Sequence, residues 1–378
     1  MARRTGRGQE AHPAAPGGAP LQRHPGRGAG LIMAIDILAA GCISPIGFTL
    51  AETAAAARAR MARLREIAWL DRRFEPYIVG RVDDEGLPPL STQLELLNLQ
   101  SREARMLRLA HAALAETLEA LPDSSGPIPL LLGLPEHHTT LPIAPSSFLT
   151  RLVIQTGAPL DAGRSVAVAR GRAAGLMALR QALLRVTSGE SDYILVGGVD
   201  SLVDLYVLGT LDRAQRIRNA GNNDAFSPAE GAAFLLLGRS GPGATPLARL
   251  TGCGTGMEPG HLYADAPYLG DGLAAAIGSL LEATPPATPI ACTYASFNGE
   301  RYWAREFGVA RLRNSHHFAE PMAMEHPAEC CGDLGAAHGP LLAALAAHAL
   351  AGRYRPGPCL VYASSDRGDR AAALLTPA

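Results

Sequence analysis

The sequence contains no lysine. All 34 of its basic residues are arginine, and with 35 acidic residues the formal net charge is −1. The absence of lysine excludes Schiff-base chemistry and any catalytic lysine, because that chemistry needs a primary amine. The near-zero net charge and the lack of a dense basic face in the folded part argue against nucleic acid as a partner.

Long apolar runs are also missing. A membrane-spanning helix needs about 20 consecutive apolar residues. The longest candidate, 334–350, carries His338 and His348, so we interpret it as a buried helix and expect no membrane partner. Residues 1–32 have no periodic apolar pattern and are rich in arginine, glycine and proline. This composition predicts a disordered extension, which is either untranslated or functionless or a tail with a role.

Cysteine and histidine do not form metal-binding patterns. The six cysteines are scattered through apolar surroundings, without the spacing of metal ligands or the density of a disulfide scaffold, which favours a reduced, cytoplasmic setting. The histidine pairs 137–138 and 316–317 have no third ligand at metal spacing. The glycine-rich stretch 252–256 lacks the lysine and the following helix of a phosphate-binding loop. We therefore predict neither a metal nor a cofactor.

The remaining pattern alternates strands and helices, as is typical of an α/β protein. With 378 residues, of which 47% are hydrophobic, the chain can form one large core or two closely packed halves. Segment 171–200 combines a helix lined by glycine and alanine, an apolar strand and a polar turn with aspartate, and segment 332–366 repeats this order. The repetition predicts two similar halves, 33–245 and 246–378, which bury both small-residue helices between their sheets.

Four segments together resemble the β-ketoacyl synthases of the thiolase-like superfamily. They are GCISPIG at 41–47, the helix and strand within 171–200, FSPAEGAAFLLL at 226–237 and GAA at 335–337. The resemblance extends from about Ala34 to the C-terminus. It implies a five-layer αβαβα thiolase-like fold with halves related by a pseudo-twofold axis. It also implies a dimer and a role in fatty-acid-like or polyketide-like condensation on acyl carrier protein.

The family's reacting groups are absent from the matching positions. Its nucleophilic cysteine falls on Arg172, and an arginine cannot accept an acyl group at neutral pH. Its first histidine falls near Tyr294, and its second falls within 331–333. Its lysine has no counterpart, and its gating turn, which is rich in glycine and phenylalanine, is replaced by the polar stretch 364–370. The resemblance therefore predicts the fold of the family without its usual chemistry.

One hypothesis is a non-catalytic protein that resembles a chain length factor. It would pair with a catalytic β-ketoacyl synthase as a heterodimer, or with itself as a homodimer, and act with acyl carrier protein. In that case we expect Arg172 to bind a carboxylate or phosphate, or to form an ion pair with Asp333 or Glu300. The alternative is that Arg172 only fills space and reaches a structural carboxylate.

A second hypothesis is an active 3-oxoacyl-(acyl carrier protein) synthase or acyltransferase with a relocated nucleophile. Cys331 is predicted at the N-terminus of a buried helix, where the helix dipole lowers a thiol pKa, although adjacent buried cysteines are usually inert core residues. The catalytic candidates are then Cys331, Tyr294 and Asp333, and the pocket candidates are Asn298 and Glu300, with His326 as a further acid or base. For the stretch at Glu300, a glutamate–arginine pair that holds a helix start is the alternative. A third hypothesis is a binding protein on this fold that is unrelated to acyl chemistry.

Overall fold

A computed structural model describes residues 34–121, 126–137, 142–241 and 245–378. The predicted extension at 1–32 and His138 lie outside these ranges. Within them, the chain forms twelve strands: β1 (Ile35–Ile43), β2 (Arg65–Leu70), β3 (Pro76–Val79), β4 (Leu130–Leu134), β5 (Val166–Ala169), β6 (Tyr193–Ser201), β7 (Glu230–Gly238), β8 (Ala248–Met257), β9 (Ile290–Ala295), β10 (Phe318–Glu325), β11 (Cys359–Ser364) and β12 (Asp369–Thr376). The same ranges contain ten α-helices: α1 (Leu50–Arg58), α2 (Thr92–Glu95), α3 (Ser101–Leu118), α4 (Pro145–Thr156), α5 (Ala174–Thr187), α6 (Leu205–Arg213), α7 (Asp271–Ala283), α8 (Arg301–Arg313), α9 (Ala328–Cys331) and α10 (His338–Ala351).

Ten of the strands form one large sheet with a duplicated arrangement. Its order is β10-β9-β11-β12-β8-β1-β7-β6-β4-β5. In the first half β4 lies between its parallel neighbours β5 and β6, and β7 and β1 follow antiparallel. In the second half β9 lies between its parallel neighbours β10 and β11, and β12 and β8 follow antiparallel. β1 and β8 pair antiparallel and join the halves, so the predicted pair of similar halves is confirmed.

Helices α5 and α10 form the middle of five layers. Helix α5 contacts β4 and β6 of its own half and β8 and β12 of the other. Helix α10 contacts β9, β11 and β12 of its own half and β1, β6 and β7 of the other. Helix α3 packs on β1, β6 and β7 from outside, and α7 packs on β8 and β12. Each half of the large sheet thus forms one layer, and the order is helix, half-sheet, helices, half-sheet, helix. This is the αβαβα arrangement that the family resemblance implies.

Small residues allow α5 and α10 to approach each other closely. A Cβ added at Gly175 of α5 would lie 2.2 Å from Cγ of Pro340 in α10. A Cβ added at Gly198 of β6 would lie 2.3 Å from the carbonyl oxygen of Ala336. Helix α10 is buried on nearly every side. It has no apolar stripe because elements of both halves cover it.

Several elements differ from the sequence prediction. The segment 68–95 has no clear periodicity in sequence, but it contains β3, α2 and the end of β2. The pattern also does not predict α6, β10 or β12. Strand β12 is rich in alanine, which has low strand propensity, and β10 contains Pro321, which usually argues against a strand interior. Helix α6 does have a sequence signal, because the side chain of Asp204 caps it by accepting the N–H groups of Tyr206 and Val207.

The small-residue helix of the second half begins later than predicted. The pattern places its start at Gly332, but α10 begins at His338. Gly332 and Gly335 have φ values of 80° and 53°, which are left-handed and interrupt a helix. Residues Gly335–Ala337 then form a single 3-10 turn before α10. The equivalent 3-10 turn, Gly171–Ala173, precedes α5 in the first half.

Candidate functional site

Arg172 lies in the 3-10 turn that leads into α5, where the two halves meet. Its side chain is only 6% exposed. Nε donates to both carboxylate oxygens of Asp333, at 3.0 Å and 2.8 Å, and Nη2 also donates to Asp333. Nη1 donates to Oδ1 of Asp366 at 2.5 Å. Asp333 and Asp366 belong to the second half, so Arg172 joins the halves through two buried ion pairs.

A second buried arginine, Arg216, extends this cluster. It lies between α6 and β7 and donates to Glu300 through two bonds, Nε to Oε1 at 2.7 Å and Nη2 to Oε2 at 2.8 Å. It also donates to Asp366, through Nη1 at 2.6 Å and Nη2 at 3.1 Å. Asp366 therefore binds both arginines. Nη1 of Arg216 makes a further bond of 2.8 Å to the hydroxyl of Tyr263.

Asn298 and Trp303 connect the carboxylates of the cluster. Nδ2 of Asn298 donates to Oδ2 of Asp333 at 2.7 Å and to Oε2 of Glu300 at 3.2 Å. Nε1 of Trp303 donates to Oε2 of Glu300 at 2.8 Å. We call the following six residues the arginine–carboxylate network: Arg172, Arg216, Asn298, Glu300, Asp333 and Asp366.

The network contains two guanidinium groups and three carboxyl groups, so its positive charges balance only part of the negative charge that three ionised carboxylates would carry. Burial opposes the charge of Asp333, but Arg172 and the hydrogen bonds hold the pKa of its carboxyl below the usual value. Burial also opposes the charge of the arginines, but the neighbouring carboxylates raise the pKa of Arg172 and of Arg216 well above the usual value. Paired, charge-assisted hydrogen bonds are the geometry that offsets the desolvation of such buried ions.

Glu136 adds a fourth carboxyl group beside the network. It follows β4, is 6% exposed, and accepts the backbone N–H groups of Asp366 at 3.1 Å and Arg367 at 3.3 Å. Burial and the charge of Asp366 raise the pKa of Glu136 to about 7, although Arg172 acts in the opposite direction. Near neutral pH this carboxyl is therefore divided between its protonated and ionised forms.

The space beside Arg172 is small. A cavity of about 20 Å³ lies there, and Glu136, Asp200, Phe226 and Asp366 form part of its wall. One water molecule needs roughly 10–15 Å³. The cavity can therefore hold about one water molecule, and it has no room for an acyl chain.

Comparison with known proteins assigns this architecture. A family model, the N-terminal domain of β-ketoacyl synthases, matches residues 151–241. This segment contains α5, β6, β7 and both arginines of the network. No curated protein matches the chain in sequence.

Solved structures match over most of the chain. The oxazolomycin ketosynthase domain from Streptomyces albus JA3453 has a TM-score of 0.75 at 16% identity, over 91% of this chain and 74% of that one. The chain has a ketosynthase fold. A ketosynthase in complex with its chain length factor from Xenorhabdus doucetiae has a TM-score of 0.71 at 18% identity, over 91% and 98%. The ishigamide ketosynthase/chain length factor has a TM-score of 0.69 at 19% identity, over 91% and 99%.

In this ketosynthase-like protein, the candidates from the sequence divide among three places. Asp333, Asn298 and Glu300 lie together in the network with Arg172. Arg172 pairs with Asp333, whereas Glu300 pairs with Arg216 instead. Tyr294 lies outside the network and lines a different cavity together with His326. The second hypothesis needs Tyr294 and His326 to lie with Asn298 and Glu300, and the structure places these two pairs apart.

Cys331 does not have the position that the sequence predicts. It is the last residue of the four-residue helix α9, rather than the first residue of a buried helix. Its thiol donates to the carbonyl oxygen of Pro327 at 3.1 Å, and burial raises the pKa of the Cys331 thiol well above its usual value. A helix C-terminus also disfavours a thiolate. The prediction of an activating helix N-terminus at Cys331 is wrong, because Gly332 and Gly335 delay α10 to His338.

His338 is a buried polar group next to the network. Its Nδ1 lies 3.4 Å from the backbone nitrogen of Leu334, from which it accepts. In the part of the chain that the structure describes, its Nε2 has no hydrogen-bond partner. Burial lowers the pKa of His338 to about 4, although Asp333 acts in the opposite direction. The imidazole is therefore neutral near pH 7, and the charge of Asp333 is balanced by Arg172.

Sequence reasoning did not single out three residues of this region, which are Arg216, Glu136 and Asp366. Asp366 belongs to the polar stretch 364–370, which marks a departure from the family's gating turn but does not indicate a partner. Arg216 lies in a loop without periodicity, and 150 positions separate it from Asp366. No local pattern identifies such a pair.

Other site types receive no support from the described ranges. These ranges contain no cluster of three or more histidine, cysteine, aspartate or glutamate side chains that could hold a metal ion. Among their helices, none combines the length and the apolar character that crossing a membrane requires.

Proposed function

We propose that this protein is a non-catalytic partner of a catalytic β-ketoacyl synthase, with a role like that of a chain length factor, in fatty-acid- or polyketide-type condensation on acyl carrier protein. The observation that carries the proposal is the environment of Arg172. The resemblance to the family puts the nucleophile at this position. Here Asp333 and Asp366 bind the guanidinium group, and the adjacent cavity measures about 20 Å³.

The surrounding residues do not replace the missing nucleophile. Asp333, which the resemblance matches to the region of the second histidine, is bound by Arg172, Asn298 and the backbone N–H of Gly335. A carboxylate that accepts this many hydrogen bonds is held in place and is a weak base. Cys331 is buried and has a raised thiol pKa, so it lacks the thiolate that nucleophilic attack requires.

The network favours a structural role for this region. Each of its ion pairs joins a residue of the first half to one of the second half. Removing one member of a buried ion pair costs about 3–5 kcal/mol, because the other charge is left unpaired. The network therefore holds the halves together at the place where catalysis would need open space.

The similar structures support assembly with a synthase. Two of them are ketosynthases with a chain length factor, and this chain covers 98% and 99% of those chains. Another is a type II polyketide acyl carrier protein in complex with its ketosynthase, which has a TM-score of 0.73 at 17% identity. These proteins indicate the classes of partner to test, which are a catalytic synthase and an acyl carrier protein.

Intact-mass analysis tests the absence of catalysis. The protein is incubated with malonyl- and acyl-(acyl carrier protein) thioesters, with a catalytic ketosynthase as the positive control. We expect no covalent acyl adduct on this chain, because no activated nucleophile is available. A stoichiometric adduct that Cys331→Ala abolishes and Cys330→Ala retains would contradict the proposal and make Cys331 the nucleophile.

Co-purification tests the partner. The tagged protein is expressed together with the ketosynthases of its source organism, and light scattering after gel filtration measures the mass of the complex. We expect a one-to-one complex with one synthase. A homodimer that captures no synthase would contradict the proposed heterodimer. Failure to bind both a synthase and acyl carrier protein would favour a binding protein unrelated to acyl condensation.

A further inference from the structure

A second cavity, of about 300 Å³, lies among α1, α10 and the ends of β9 and β10. It shares no lining residue with the small cavity beside Arg172. Small-molecule sites begin at about this volume. The cavity is thus large enough for a ligand with a single ring, and it is separate from the arginine–carboxylate network.

The charges that line this cavity are unequal. Three arginines and two glutamates contribute to its wall. Arg60 is paired with Glu329, and Arg355 is paired with Glu325. Arg58 is the remaining guanidinium, and no carboxylate of the described residues lies within ion-pair distance of it. The arginines and glutamates of the cavity together carry one excess positive charge, and that charge belongs to Arg58.

Arg58 is positioned by an aromatic ring. Its guanidinium carbon lies 4.1 Å from the centroid of the Tyr354 ring, a distance that allows a cation–π interaction. A guanidinium group has five N–H donors in one plane. Tyr354 contacts the face of this plane and also accepts a hydrogen bond from the Arg58 side chain, so the remaining donors of the guanidinium group can bind an oxyanion.

Tyr294 supplies a second polar group to the cavity. Its side chain is 5% exposed and contributes to the cavity wall. No residue in the described ranges hydrogen-bonds its hydroxyl, and the oxygen is not among the fully enclosed atoms that lack a partner, so it is open to the cavity. Burial raises the pKa of Tyr294 well above its usual value, so the hydroxyl stays protonated and can donate.

We propose that this cavity binds a small organic oxyanion, a carboxylate or a phosphate monoester. The guanidinium group of Arg58 binds the oxyanion, and the hydroxyl of Tyr294 donates a hydrogen bond to the ligand. The apolar part of the ligand packs against Ala54 and Leu345, which also line the cavity. This site is independent of the proposed role as a synthase partner.

Titration calorimetry with three matched probes tests the site. Benzoate and phenyl phosphate carry the two kinds of oxyanion on the same ring, and benzyl alcohol is the neutral control. We expect saturable one-site binding of at least one anion, and at least tenfold weaker binding of benzyl alcohol, because it cannot pair with Arg58. Binding of one anion but not the other would assign the ligand class. No saturable binding of either anion up to about 10 mM would overturn the proposal.

Variants of exposed or unpartnered groups test the assignment of residues. Arg58→Gln should weaken the anion that binds by tenfold or more. Tyr294→Phe should weaken it several-fold and leave the melting temperature nearly unchanged, since the hydroxyl has no protein partner to lose. Arg63→Gln is the control, because Arg63 is exposed nearby and does not line the cavity. Equal affinity of wild type and Arg58→Gln would refute the site even if an anion binds elsewhere.

Discussion

Replacing Asp333 with asparagine should destabilise the protein by about 3–5 kcal/mol, the usual cost of breaking a buried ion pair. Asp333 is fully buried. It accepts hydrogen bonds from Arg172, from Nδ2 of Asn298 at 2.7 Å and from the backbone N–H of Gly335 at 2.9 Å. Asparagine has nearly the same size, but it lacks the negative charge and would present an NH₂ group to these donors. Arg172 would keep its hydrogen bond to Asp366, but Arg216 binds the same carboxylate.

Asp224→Asn is the matched control for this change. Asp224 accepts the backbone N–H of Arg301 at 2.7 Å and its Nε at 2.8 Å, so the bonds resemble those of Asp333. The side chains of Arg301 and Asp224 are 71% and 39% exposed, however. An exposed ion pair contributes about 0–1 kcal/mol, because water solvates both charges well. The same chemical change should therefore cost several-fold less at Asp224 than at Asp333.

Urea unfolding measures the two free energies. Circular dichroism follows the whole fold. In a Trp69→Phe background, tryptophan fluorescence comes from Trp303, whose indole N–H donates to Glu300 of the network. Linear extrapolation gives the free energy of unfolding of each variant. A cost below about 1 kcal/mol for Asp333→Asn, similar to that for Asp224→Asn, would refute the reasoning. It would mean that the network does not hold buried, paired charges.

Three further predictions concern protonation, packing and thiol reactivity. The fold raises the pKa of Glu136 from an ordinary value of 4.5 to about 7, so its contribution to stability is complete below about pH 4.5 and is lost as the pH rises through 7. Glu136→Gln should therefore gain up to about 3 kcal/mol relative to wild type between pH 5 and pH 8 in urea unfolding; a pH-independent difference would contradict this. Gly175→Ala should cost about 1–3 kcal/mol through its clash with Pro340, whereas Gly209→Ala in α6, where an added Cβ meets nothing within 4 Å, should stabilise by about 0.5–1 kcal/mol; thermal melts that move in the same direction for both would contradict it. Iodoacetamide at pH 8 should label Cys331 only after denaturation, because the thiol is buried and its pKa is raised; rapid labelling of the native protein, seen by peptide mass, would reverse that conclusion.

The sequence predicted the parts of the candidate site that a short motif shows, and it did not predict the parts that depend on distant residues. The replacement of the nucleophile by Arg172 is visible in a short motif, and the sequence also names Asp333 as a possible ion-pair partner. Cys331 was misplaced because the left-handed backbone of Gly332 and Gly335 delays the helix start. The sequence does not show whether a glycine in a run of small residues has a positive φ. The sequence does not show that Tyr294 lines a separate cavity, because the direction of a side chain depends on the packing of the whole sheet.

By itself, the sequence determined the α/β class, the duplication of the two halves and the absence of lysine and of the family's nucleophile. These properties follow from periodicity and from residue identity, both of which are local. Only the tertiary structure decided that Arg172 and Arg216 share Asp366, that the space beside them is nearly closed, and that Tyr294 faces a separate cavity. Burial and charge pairing depend on residues that are more than a hundred positions apart. They are settled when α5 and α10 pack between the two halves.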